Sequence, residues 1–118
     1  MDINSNFQPG QILSLDYRHR NLYAEVIQVV ISRDLCWVRP LMLVNFTQDI
    51  PLITDMRDAS DLLWPVNLFR PALDTEVISF LGDLLPKEPK ADNDLAAQQQ
   101  LHQFIYQFWQ ASQDGQQL

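Results

Sequence analysis

The residues at 35–46, LCWVRPLMLVNF, admit few folds. Side chains alternate across a strand, so Cys36, Val38, Met42, Val44 and Phe46 are expected on one face and Leu35, Trp37, Arg39, Leu41 and Leu43 on the other. Neither set is polar, and a strand with two apolar faces has to be covered on both sides. Pro40 has no N–H to give to a ladder, which predicts an edge strand or a bulge at that point. Arg39 is expected either to lie along Trp37 or to pair with an acid from the carboxyl-rich second half of the chain.

The flanking sequence supplies the cover. Phe7-Gln8-Pro9-Gly10 reads as a turn before the short run Ile12 to Leu15, and Leu22 to Ile31 is dense in β-branched and aromatic residues. With Leu52-Ile53 and Leu62 to Trp64 these predict an SH3-like antiparallel β-barrel of about five strands within residues 11–70. Beyond Pro71 the apolar period changes to 3.6. Asp74 can cap a first helix, 74–85, in which Val77, Phe80, Leu81 and Leu84 share a face, and Pro86 stops it. A polar linker, 86–93, precedes a second helix over 94–112. The fold class expected is therefore α+β: one domain over residues 1–118, with one face of the 35–46 strand lining the barrel and the other lying under a C-terminal helix.

Composition narrows the chemistry. Apolar residues make up 47 % of the chain of 118, enough for one core, and no apolar run suits a membrane span. The start, MDINSNFQPG, does not resemble a secretory signal, and the single cysteine agrees with a reducing cytoplasm. The net charge of −7 argues against nucleic acid as a partner. Arg18-His19-Arg20 reads as a solvated tip between two strands, with a phosphate clamp as the alternative. Asp55, Asp58 and Asp61 lack the alternating spacing of a calcium loop and read as turn carboxylates that bond backbone amides. His19 and His102 are far apart and accompany no zinc pattern, Cys36 sits in an apolar strand, and the three glycines are scattered. No enzyme signature is present, and no cofactor or metal is expected.

The last helix carries the strongest functional signal. Leu101, Phe104, Ile105 and Phe108 form one stripe, which His102, Tyr106 and Trp109 widen to an arc of about 200°. Such a helix either buries both flanks in a groove or exposes His102, Tyr106 and Trp109 as an aromatic strip suited to protein contacts. Trp37 and Arg39 are further candidates for that surface. Three functions remain open: a protein-binding assembly factor, a small enzyme using Asp58, His102 and Cys36, and an RNA-binding small barrel using Arg18, Arg20 and Arg33.

Residues 61–77, DLLWPVNLFRPALDTEV, set aromatic residues beside prolines at Trp64-Pro65 and Phe69-Arg70-Pro71. Together with the PGQIL opening, the RPLML strand and the glutamine-rich last helix, this resembles small conserved cyanobacterial proteins over residues 9–110. Among them it looks like the CcmS family, assembly chaperones of the β-carboxysome shell. The resemblance implies a non-enzymatic α/β protein that binds a tail of a hexameric shell protein, in the cytoplasm or at the carboxysome. Such a tail would dock as an amphipathic helix, with basic residues facing the carboxylates beyond Pro40. An accessory subunit of a photosynthetic complex is the alternative within the same resemblance.

Overall fold

The computed structural model describes residues 7–84 and 95–113. It is an α+β fold with six strands: β1 (Ile12–Tyr17), β2 (Arg20–Val30), β3 (Leu35–Asn45), β4 (Leu52–Asp55), β5 (Leu62–Pro65) and β6 (Arg70–Pro71). Two helices follow, α1 (Asp74–Leu84) and α2 (Leu95–Gln113), close to the ranges expected for them. The 86–93 linker lies outside the described residues. All pairings are antiparallel, in the order β4-β3-β2-β1-β6 with β5 also on β3, and no pairing among the described residues joins β6 back to β4 or β5. The expected Pro9-Gly10 turn opens the sheet: Gly10 adopts φ 89°, a conformation glycine takes without steric cost, and its N–H donates to Val26 O at 2.8 Å.

β3 is not an edge strand. It pairs with β2 on one side and, on the other, with β5 at Leu35–Val38 and with β4 at Met42–Asn45. Pro40 falls in the gap between those two partners, where the absent N–H leaves no ladder bond unmade. The neighbouring chain leaves the ladder there, running through residues 56–61 before resuming as β5. The expected bulge is present, because Tyr23 opposes Met42 and Ala24 opposes Pro40, leaving Leu41 as the extra residue. A second irregularity between Val26 and Gln28 leaves Ile27 unopposed.

The bulge overturns the expected faces of β3. One extra residue reverses the alternation, so Cys36 and Val38 share a core with Leu43, whereas Met42 and Val44 point into the opposite one. Each core has its own helix. Leu13, Leu15, Leu22, Val26 and Val38 pack with Leu101, Phe104 and Phe108 of α2. On the other face Tyr23, Met42 and Val44 pack with Val77, Phe80, Leu81 and Leu84 of α1. Both faces of the sheet are therefore covered by helices, rather than one by a barrel interior alone.

A polar network fixes the start of α1. Arg70 donates from both terminal nitrogens to Glu76, at 2.7 and 2.9 Å, and from Nε to Asp16 of β1. The Tyr23 hydroxyl donates to the same Glu76 carboxylate at 2.7 Å, and the Leu73 N–H does so at 2.8 Å. Glu76 thereby performs the capping expected of Asp74. Arg70 draws its carboxyl down to about 2, and burial drives the Tyr23 hydroxyl up to about 12.

Candidate protein-binding surface

Ala97, Leu101, Phe104, Phe108 and Ala111 recur at spacings of four and three, and all are buried against the sheet. This narrow stripe is all of α2 that the sheet fully covers. Tyr106 and Trp109 remain 64 % and 44 % exposed, and His102 is exposed beside them. Of the two readings of the wide arc, the exposed strip is the one realised. Ile105, half-buried, lies between strip and core.

The strip has a further member on the sheet, outside the candidates legible in the sequence of α2. Trp64 of β5 faces α2, its ring 5.5 Å from Phe108 and 5.8 Å from Trp109. Trp64, His102, Ile105, Tyr106 and Trp109 line one shallow cavity of about 430 Å³. Its walls are nearly all apolar, with the Tyr106 hydroxyl accepting from Gln110 Nε2 at 2.9 Å. The signal for Trp64 was its strand parity: it opposes Cys36 in the ladder, and Cys36 belongs to the core under α2.

Two further cavities adjoin this one along α2. Toward the helix start, His102 and Ile105 also line a cavity of about 240 Å³ with Asp58 and Ser60. Toward the helix end, Tyr106 also lines a cavity of about 510 Å³ with Arg18, His19, Arg20, Gln107 and Gln110. Arg18 and His19 form the exposed two-residue turn between β1 and β2, with Arg18 at φ 57° and its guanidinium 5.3 Å over the Tyr17 ring. The solvated tip expected for RHR holds for these two. Arg20 instead turns toward α2, with its guanidinium 5.3 Å over the Phe104 ring and a hydrogen bond donated to Gln107 Oε1. Burial, reinforced by the nearby Arg18 charge, lowers its pKa against an opposing effect of Tyr17.

Trp37 and Arg39 do not belong to this surface. Trp37 opposes Leu63, which is one residue out of phase with Trp64, so both point away from α2. The Trp37 indole N–H donates to Asp61 at 2.9 Å and Arg39 Nε lies 3.6 Å from the same carboxylate. The acid expected for Arg39 is thus Asp61, in an exposed pair that also holds an indole. Asp55 behaves as a turn carboxylate, accepting from the Arg57 backbone N–H at 2.9 Å.

The other candidate residues are scattered. Cys36 is fully buried, and burial pushes its thiol up to about 11. Asp58 and His102 line the same small cavity, with no hydrogen bond between them. Arg33 lies past the far end of β2, roughly 30 Å of strand from Arg20. Among the described residues no group of three His, Cys, Asp or Glu side chains is placed to hold a metal, and no helix is long and apolar enough to cross a membrane. No family model, curated protein or solved structure matches the chain.

Proposed function

We propose that the protein is a non-enzymatic binding factor that holds an apolar segment of another protein against the outer flank of α2. The observation that carries this reading is the Trp64–Tyr106–Trp109 cavity, an aromatic surface left open along the edge of the core under α2. Aromatic side chains with polar tips suit such contacts, because they give large contact area at a small loss of side-chain freedom. The sequence resemblance points to a more specific role, that of an assembly factor for the carboxysome shell acting in the cytoplasm, with the tail of a hexameric shell protein as the segment bound.

We read the sheet as an SH3-like barrel in part closed by the chain itself. Only residues 66–69 separate β5 from β6, and 66–68 form a 3-10 turn. Laid flat, the four interstrand steps from β5 through β3, β2 and β1 to β6 would span about 19 Å. A link with one 3-10 turn reaches roughly 13 Å, which supports a curled sheet.

The test is binding of a synthetic shell-protein tail, followed by tryptophan fluorescence, to the intact chain and to Tyr106→Ala and Trp109→Ala. Stability is measured first. The exposed Tyr106 is expected to change folding by less than about 1 kcal/mol, whereas Phe104→Ala, fully buried, is expected to cost roughly 3–5 kcal/mol. With folding intact, loss of Tyr106 or Trp109 should weaken binding by at least about 2 kcal/mol. Unaltered binding by both variants rules out the α2 flank as the docking surface. An RNA-binding reading has less support, since Arg33 is remote from Arg18 and Arg20.

A further inference from the structure

We infer that the cavity between the β1–β2 turn and the end of α2 is a carboxylate subsite of the same surface, receiving an acidic side chain of the bound segment. The inference rests on the aromatic flank being a docking surface, and it specifies the charge of what docks. In a chain of net charge −7, this cavity is lined by Arg18, His19 and Arg20 and, among the described residues, by no carboxylate. The side chains of Gln107 and Gln110 complete its α2 wall.

Arg20 supplies the central argument. Its guanidinium is partly withdrawn from water, and its protein partners are an amide oxygen and the face of the Phe104 ring. Among the described residues no carboxylate lies within ion-pair distance of it, whereas Arg39, Arg57 and Arg70 all have one. A cation held away from water without a counter-charge is stabilised by whatever anion enters beside it, and a guanidinium offers a paired set of donors to a carboxylate. Arg18, fixed by the left-handed turn and lying over Tyr17, adds a second guanidinium to the same opening.

Geometry ties this cavity to the aromatic one. Tyr106 lines both, so one bound segment reaches the two together. The cavity, about 510 Å³, has room for a whole side chain, and its cationic wall extends over consecutive residues, so an acidic side chain suits it better than a bare chain terminus. From Gln98 to Ala111 the run of adjoining cavities extends along roughly 20 Å of helix, the length of a short amphipathic segment.

The experiment uses the full chain labelled with nitrogen-15 and short leucine-rich peptides with blocked ends. One peptide carries a glutamate at its end, one carries glutamine there, and one carries glutamine with a free C-terminal carboxylate; each is made in both chain directions. The Trp64 and Trp109 indole signals report the aromatic cavity, and the Arg18 and Arg20 Nε signals report the carboxylate subsite. The expected result is that glutamate and glutamine peptides both move the indoles, that only glutamate moves the arginines, and that glutamate binds about tenfold tighter. Arg18→Gln should remove most of that preference, and Arg20→Lys should reduce it while keeping the charge over Phe104. Equal affinity of glutamate and glutamine peptides, or a preference unchanged in Arg18→Gln, overturns the subsite and leaves the aromatic surface standing. A preference shown only by the free terminus overturns the side-chain assignment. Failure of every peptide to move the indoles at millimolar concentration overturns the docking surface and the subsite with it.

Discussion

Glu76 shows how one side chain joins three elements. Its carboxylate takes the Arg70 fork from β6, the Tyr23 hydroxyl from β2 and the Leu73 N–H at the start of α1. Each of these bonds favours the ionised form, which is why the carboxyl falls from 4.5 to about 2 on folding. A group whose pKa is lower in the folded state contributes stability above its unfolded value, and loses it as pH falls through the folded one. Stability should therefore decline between pH 4.5 and about 2. Exposure to solvent screens part of the effect, so the contribution is set at about 2 kcal/mol rather than the full amount implied by the shift. Urea denaturation at stepped pH checks this by comparison with Glu76→Gln. The difference between the two proteins should shrink across that window, and a constant difference would show that Glu76 acts by shape rather than charge. In the sequence Arg70 was visible only as part of Phe69-Arg70-Pro71, since its partner Asp16, and the Tyr23 that shares Glu76 with it, are distant along the chain.

The strands and helices were legible where the signal is local. The β-branched density of 22–31 marked β2, and the spacing of Val77, Phe80, Leu81 and Leu84 marked the buried side of α1. The phase of β3 was not, because a bulge depends on where a neighbouring strand departs, and that departure is encoded elsewhere, in residues 56–61. Pro40 was the one local sign. Of its two expected consequences the bulge is present and the edge position is not, and the bulge shifts the phase of every later residue of the strand. That effect can be measured. Deleting Leu41 removes the extra residue, and the plain alternation that results keeps Val38 and Leu43 on the face of α2 and Met42 and Val44 on the face of α1. The core contacts on both faces are kept, and the deleted chain should retain a cooperative thermal transition by circular dichroism. Loss of that transition would mean that the bend and twist the bulge gives the strand, and not only the faces of its neighbours, are needed for folding. Leu41→Ala keeps the register and should cost no more than roughly 1–3 kcal/mol, which separates the backbone effect from the loss of a half-buried side chain.

Charge is distributed over the molecule in a way the chain order conceals. The excess of carboxylates lies beyond Pro40, which suggested a partner with basic residues at its rim. Folding brings Arg20 against Gln107, 87 positions away, and so sets cations from the acid-balanced first part of the chain beside the aromatic strip. Periodicity along α2 revealed the strip, but no local pattern could show which loop would pack against its end. The consequence is a difference between near and far fields. An acidic segment approaches a protein of net charge −7 and is repelled at long range, then meets Arg18 and Arg20 at contact. Added salt screens the long-range term strongly, because the Debye length falls to about 10 Å at 0.1 M, while the partly buried Arg20 contact is screened less. For the glutamate peptide, stopped-flow tryptophan fluorescence should therefore show association becoming faster as salt rises from low ionic strength, with release also faster but by a smaller factor. For the glutamine peptide both rates should be nearly flat. Association that slows with salt would mean that the Arg18 and Arg20 field reaches beyond the surface and outweighs the net charge, so that attraction already steers the approach instead of acting only at contact.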